Sequence, residues 1–429
     1  MFIDLSGLLL WLVALGRVTL SDRDPPETNW RGFSVLGLKR RKSRGPGGCA
    51  VWLACLYFFV PALSGVAAPD TLTNDLQLIP EDTSLWKESM LWDKDIVLRA
   101  GVGYKDNVLL APNASQGSGF VASGLDLTLI RLPLDGWEVN FTIVGDDVRY
   151  FRNPGGLKGE DLFTSSVQVQ KYLSARWRTG LEVRYSYIDQ VLQELLMSGG
   201  VQAIEAKGNT LSTRPFVRRE LSTNWWIQLE APLERDWWQA PLDAYWKVGG
   251  QGIIGFSYGP HSQVSLSGGG FYIPHDEWLA RDASGAEVPG RILAIQREVA
   301  ELKWEHQWDA RNRWSSITRI GFNRNRDNGG GFFNFYRYFA SEELRFHTKD
   351  WEAKASVAWS YYDFPVQTID TPPSPTLHLA TVNAGLRLER RLYQSVRGFA
   401  AFEFEQTTSD DPASEYRYKI VTGGLSWEF

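Results

Sequence analysis

The chain has 429 residues, 22% of them charged, a formal net charge of −5 and a mildly polar mean hydropathy of −0.26. Past the first 68 residues no stretch is apolar over the ~20 residues that a transmembrane helix needs, so a helical membrane protein is excluded. Strands that cross a membrane are not excluded, because only alternate residues face lipid and averaging hides them.

The first 67 residues read as a signal-peptide region. Lys39-Arg40-Arg41-Lys42-Ser43-Arg44 is a charged n-region, and residues 49–63 (CAVWLACLYFFVPAL) are an apolar h-region. Small residues follow through Ala68, the order of a secretory signal, with cleavage expected after Ala67. Residues 1–34 fit no such signal, so the expected translation start lies near residue 35, a long n-region being the alternative. Both cysteines, Cys49 and Cys55, fall inside this region. The remainder is expected to carry no disulfide and no thiolate metal site. The first 67 residues hold 8 Lys and Arg and 4 Asp and Glu, which leaves a net charge of −9 on the rest. An acidic exported protein is a poor nucleic-acid binder.

Residues 68–95 are polar and read as a periplasmic lead-in. From 96 to 429 short turns alternate with longer connections rich in Gly, Pro, Asn and charge. Between them lie segments that alternate apolar and polar residues, the two-residue period of a half-lipid-facing strand. Ile96, Leu98, Ala100, Val102 and Tyr104 oppose Val97, Arg99, Gly101 and Gly103. Trp177, Leu181, Val183 and Tyr185 oppose Arg178, Gly180, Glu182 and Arg184. Val396, Gly398, Ala400, Phe402 and Phe404 oppose Arg397, Glu403 and Glu405, with Phe399 out of pattern. Sixteen strands are predicted, at 96–104, 119–132, 137–151, 161–173, 176–188, 207–221, 225–233, 245–258, 263–273, 291–308, 313–323, 332–347, 351–363, 376–389, 395–406 and 415–429. An even number brings both ends to the periplasm.

Trp137, Trp177, Trp225, Trp314 and Trp351 each follow a short turn closely. Amphipathic rings favour the bilayer–water boundary, so these five are expected to form a periplasmic aromatic girdle. Their spacing would also suit a β-propeller blade, but a blade needs four short strands per period and each period here holds two long ones. Strands in lipid must pair on both edges. The sheet is therefore predicted to close, with the first strand near Ile96 pairing with the last, ending at Phe429.

That last strand, from Ile420 to Phe429, puts Val421, Gly423, Leu425, Trp427 and Phe429 on one face and Ser426 and Glu428 on the other. It is similar to the closing strand of bacterial outer-membrane β-barrels. The resemblance implies that Leu425, Trp427 and Phe429 are an assembly signal read by the barrel assembly machinery. The stretch Gly101-Val102-Gly103-Tyr104-Lys105-Asp106-Asn107-Val108 resembles the first-strand motif of a group of outer-membrane β-barrel porins, some linked to exopolysaccharide production. The resemblance implies an all-β, antiparallel up-and-down transmembrane barrel, for which the hairpin period gives about 16 strands (range 14–18). It also implies outer-membrane lipid and lipopolysaccharide as partners. It offers no catalytic, cofactor-binding or metal-binding residues, and homo-oligomerisation stays open.

Function is expected in the lumen. Its predicted lining includes Arg178, Glu182, Arg184, Arg214, Arg218, Glu301, Lys303, Glu305, Arg387, Glu389, Glu403 and Glu405. Residues of both signs suit a water-filled channel with a transverse field, and a barrel of ~16 strands is too wide for side chains alone to fill. The loop after His275, to Gly290, is a candidate constriction. The leading reading is a porin-like channel for small hydrophilic solutes or for polysaccharide export. A structural or secretion-accessory barrel is the alternative, and an outer-membrane lipid-modifying enzyme a remote third. Gly255-Phe256-Ser257-Tyr258-Gly259 has the spacing of a nucleophile elbow, but that motif needs a strand–turn–helix and Ser257 is placed inside a strand. Asp146-Asp147, Asp327-Asn328 and Asp410-Asp411 read as solvated acids near outer strand ends.

Overall fold

A computed structural model describes residues 92–429 apart from 114, 134, 196–200 and 370–375. The signal region and most of the lead-in lie outside the described residues, although 92–95 already belong to the first strand. Seventeen strands form one antiparallel sheet: β1 (Trp92–Lys105), β2 (Ser118–Arg131), β3 (Trp137–Tyr150), β4 (Gly159–Tyr172), β5 (Trp177–Leu195) and β6 (Val201–Glu220), then β7 (Trp225–Glu230), β8 (Leu233–Trp238), β9 (Tyr245–Gly259), β10 (Ser262–Arg281), β11 (Glu287–Gln307) and β12 (Trp314–Asp327), and finally β13 (Phe335–His347), β14 (Trp351–Thr368), β15 (Thr376–Tyr393), β16 (Val396–Ser409) and β17 (Tyr416–Glu428).

Strands β7 and β8 both lie between β6 and β9 in one unbroken register. They are one wall strand interrupted at Pro232, which has no N–H for the ladder. The sheet closes because β1 pairs with β17, from Val97 opposite Glu428 to Lys105 opposite Ile420, with the Phe429 N–H donating to the Ile96 carbonyl at 2.9 Å. The fold is thus a closed barrel of 16 strand positions.

Most of the exposed apolar residues of the strands fall on one side. Leu98, Val102, Leu181, Leu229, Leu266, Ile320, Leu386 and Val421 are all large, apolar and exposed, and the register places them on one continuous face. The opposite face is the inner one. Lys105 of β1 reaches Glu160 of β4 at 3.0 Å past two intervening strands, a contact that only the concave side of a closed sheet allows.

The short turns sit together at one end, and their chemistry explains the position of tryptophan. Trp137, Trp177, Trp225, Trp314 and Trp351 are the first residues of β3, β5, β7, β12 and β14. In each case the tryptophan N–H donates to a side-chain oxygen of the turn before it: Asp135 at 3.2 Å, Ser174 at 3.2 Å, Ser222 at 3.1 Å, Asp309 at 3.0 Å and Thr348 at 3.0 Å. Asp, Ser and Thr are the residues that can cap a turn from the side chain. Directly across the ladder each ring meets a cation or a phenyl. Lys171, Arg219 and Arg390 stack on Trp137, Trp177 and Trp351, while Phe256 and Phe346 pack on Trp225 and Trp314. All five rings are exposed.

At the other end the connections are longer. Residues 274–290, read from sequence as a loop, are largely strand: β10 runs to Arg281, β11 starts at Glu287, and Arg281 still pairs with Glu287. The segments that turn inward are different ones. In the β1–β2 connection Val108 and Leu110 are buried against the inner-face rings of Phe120, Tyr150 and Tyr416. In the β12–β13 connection Phe332 and Phe333 pack on Leu293 with Ile295 and Trp278 alongside.

Candidate functional site: the inner wall

The inner face is a lattice of ion pairs, some between alternate residues of one strand and some joining neighbouring strands. On β5 and β6, Glu182 lies between Arg184, at 2.5 Å, and Arg214, and Arg214 also reaches Glu230 of β7 at 3.5 Å. One strand end away, Glu220 takes Arg178 at 3.6 Å and Arg218 at 2.8 Å, and the Arg218 guanidinium lies 3.8 Å from the Trp226 ring. Arg178, Arg184, Arg214 and Arg218 of the expected lining thus lie in one sector, but three carboxylates accompany them.

Elsewhere Lys303 pairs with Glu305, and Arg387 holds Glu389 at 2.6 Å while resting on the Phe399 ring at 4.4 Å. Glu405 accepts a hydrogen bond from the Tyr416 hydroxyl. Glu403 lines a recess of about 360 Å³ with Arg319, Glu343, Asn383 and Tyr418. Glu301 lies in a second recess, on the wall formed by β9 to β13.

Two features escaped the reading of the sequence. Strand alternation splits Asp146-Asp147: Asp146 turns inward to Arg99 at 2.9 Å, where Asp126 also pairs, and Asp147 turns outward to Arg149. The other feature is a set of inner aromatic rings laid across glycines of the neighbouring strand. Phe120 lies over Gly103, Phe216 over Gly180, Trp226 over Gly255 and Phe339 over Gly321, each where an added Cβ would collide with the ring. Phe399, out of pattern in the sequence, covers Gly101 and Gly424 in the same way at the closing seam. A ring seated on glycine shields backbone that would otherwise face the lumen.

The first-strand motif acquires a physical account from these contacts. Gly101 and Gly103 leave room for Phe399 and Phe120 beside the seam. Asp106 exchanges hydrogen bonds with Lys419, the Asn107 amide donates to the carbonyls of Ala111 and Arg417, and Val108 is fully buried. The motif binds the first loop to the last strand.

Ser257 sits in extended backbone in β9, its N–H donating to the Asn224 carbonyl at 2.7 Å, so it lacks the strained turn of a nucleophile elbow. His378, on the outer face, has Asp410 at 2.7 Å from Nδ1 and Asp363 at 3.6 Å from Nε2. Both imidazole nitrogens thus face carboxylates and neither faces a serine. Among the described residues no group of three or more His, Cys, Asp or Glu is arranged to hold a metal ion.

A closed sheet with an exposed apolar belt, a polar inner wall and aromatic rings at the belt's edge can be stable only across a bilayer. The class so defined is an integral transmembrane β-barrel with the up-and-down fold of outer-membrane barrels. No protein-family model and no curated protein matches the sequence. Among solved structures the barrel is similar to an anion-selective porin from Comamonas acidovorans (12% identity, 79% of this chain and 99% of that chain, TM-score 0.40). It is also similar to OccK9 (OpdG) of Pseudomonas aeruginosa (9% identity, 79% and 98%, TM-score 0.42). A third similar structure is a bacterial polysaccharide outer membrane secretin (10% identity, 78% and 97%, TM-score 0.36).

Proposed function

We propose that the protein is a porin-like channel that passes small hydrophilic solutes across the outer membrane, with its long-loop end extracellular and its tryptophan-bearing turns at the periplasmic interface. The carrying observation is the inner wall. Sixteen strands enclose more space than side chains fill, and the wall presents charged side chains, many of them ion-paired along the strands, which suit water and polar solutes. Arg178, Glu182, Arg184, Arg214, Arg218, Glu301, Lys303, Glu305, Arg387, Glu389, Glu403 and Glu405 are its proposed lining. Export of a polysaccharide is the finer variant of the same reading. Strand β17, which closes the sheet, is proposed to be the segment that the assembly machinery engages through Leu425, Trp427 and Phe429.

A second reading rests on the two connections that pack inward, one through Val108 and Leu110 and the other through Phe332 and Phe333. If they seal the extracellular mouth, the barrel is a closed structural or secretion-accessory element. Planar-bilayer recording separates the two: stable open steps from purified protein mean a channel, and a persistently silent barrel means the accessory role. The lining is tested by ion selectivity. The β5–β7 sector has four arginines against three carboxylates, so Arg184→Gln with Arg218→Gln turns a surplus of one positive charge into a surplus of one negative charge. Selectivity should move toward cations, an effect that weakens as salt screens it. Leu181→Ala with Val183→Ala, on the lipid face, should leave selectivity unchanged. Equal effects from the two pairs would refute the assignment of faces.

A further inference from the structure

We infer that the recess on the β9–β13 wall is a binding site for a sugar carboxylate of the hexuronate class, an inference that rests on the channel reading for access to the lumen. The recess has a volume of about 300 Å³ and is lined by Lys247, Gln251, Ser267, Phe271, Arg297, Glu301, Asn323, Arg337 and Phe339, among others. Its arginines differ from those of the β5–β7 sector. Neither Arg297 nor Arg337 has a carboxylate ion-pair partner among the described residues, whereas Arg178, Arg184, Arg214 and Arg218 all do. The Arg337 Nε is buried without a hydrogen-bond partner, and its guanidinium lies 5.1 Å from the Phe339 ring and 5.3 Å from the Tyr362 ring. The Arg297 Nε donates to Asn325 Oδ1 at 2.9 Å, which fixes the fork and leaves its terminal N–H groups for a ligand. Lys247 is the third cation, held by Glu234 at 3.0 Å.

The register orders these groups along the wall. Phe271, Arg297 and Asn325 are in one row, Gly269, Val299, Asn323 and Arg337 in the next, and Ser267, Glu301, Gly321 and Phe339 in the third. Gln251 pairs with Gly269 and so belongs to the middle row. Positive charge is concentrated in the upper two rows, and uncharged hydrogen-bonding groups in the middle row. The one carboxylate, Glu301, is in the lowest row. A planar carboxylate matches a guanidinium fork, and two arginines line this recess. A hydroxylated ring below it would meet Gln251, Asn323 and Ser267, with Glu301 accepting from a hydroxyl. A simple inorganic anion would leave the amides unused, and a neutral sugar would leave both arginines unpaired.

The test is calorimetric titration of the purified, detergent-solubilised barrel with galacturonate, galactose and benzoate, with single-channel recording of the same preparations. Galacturonate should bind, and galactose and benzoate should bind at least tenfold more weakly. Arg297→Gln and Arg337→Gln should each weaken galacturonate at least tenfold, Arg337→Lys less, and Arg326→Gln on the outer face not at all. Unheated-gel mobility checks that each variant is folded, and if Arg337→Gln misfolds, Arg297→Gln decides. Equal binding of galactose, preferential binding of benzoate, or unchanged binding in Arg297→Gln would overturn the inference. Binding by a barrel that does not conduct would keep the site and refute the channel. Conduction without galacturonate binding would refute the site and keep the channel.

Discussion

Asn107→Ala tests how the mouth of the barrel is built. The Asn107 side chain is 2% exposed and makes three hydrogen bonds. It donates to the Ala111 carbonyl at 2.8 Å and the Arg417 carbonyl at 3.0 Å, and accepts from the Ala111 N–H at 3.0 Å. Truncation deletes all three and leaves one donor and two acceptors without their partner. Each buried group left so costs about 1–3 kcal/mol. Water entering from the mouth recovers part of this, so the loop should open with about 3 kcal/mol less free energy, a factor of about a hundred in its opening equilibrium. Val108 and Leu110 would then leave their contacts with Phe120, Tyr150 and Tyr416. The assay is amide hydrogen exchange in detergent micelles. The Val108 N–H, bonded to the Gln116 carbonyl at 2.9 Å, should exchange about a hundredfold faster, while amides of the β9–β10 ladder stay protected. Asn113→Ala, at an exposed position of the same loop, is the control and should change nothing. In bilayers the Asn107 variant should conduct more, because the loop no longer packs on the inner wall. Unchanged exchange at Val108 would show that this amide does not hold the loop.

Gly255→Val forces a side chain into the Trp226 ring and should destabilise the barrel by about 1–3 kcal/mol. Gly270→Ala, with nothing within 4 Å of the new Cβ, should change it far less; guanidinium unfolding of both variants gives the comparison. The Arg131 guanidinium hydrogen-bonded to Asp135, aided by the Trp137 N–H, holds that turn carboxyl at about 2. Its contribution to the turn is therefore present above the ordinary carboxylate range near ~3.9 and lost as pH falls through the lowered value. An NMR titration should show the low midpoint, and Arg131→Gln should return it toward the ordinary range. Trp351→Ala removes a ring on which Arg390 stacks at 5.1 Å and should cost about 1 kcal/mol of stability in lipid bilayers. An unaltered unfolding midpoint would count against an interfacial girdle.

Most of the wall was legible in the sequence because lipid imposes a strict two-residue period, although the strand expected at 225–233 continues past Pro232 as β8 to Trp238. The pairing of β1 with β17 follows from the need to pair strand edges in lipid, and the sixteen strand positions from alternation together with the spacing of short turns and tryptophans; the register of the seam had to come from the structure. Reading failed where the constraint lapses. Beyond Ile273 the β10–β11 hairpin continues with Pro274, His275, Asp276 and Glu277, residues that suggest a loop. A strand beyond the bilayer needs no apolar alternate residues, so only backbone pairing reveals it. Inside the lumen the limit is of another kind. Alternation marks Arg214 and Glu182 as inward, but which carboxylate meets which arginine depends on the register between strands that are distant in sequence. Asp146 and Asp147 look like one acidic pair until the sheet sends them to opposite faces. Phe399 looks like an error until Gly101 and Gly424 are placed beneath it by the seam. Arg297 and Arg337 belong to strands separated by β12, and nothing local distinguishes them from the paired arginines of β5 and β6. What sets them apart is the absence of a carboxylate opposite, a property of the closed wall and not of any single strand. The sequence pattern thus specifies a surface that must face lipid, while the chemistry of the lumen emerges only when the strands are side by side.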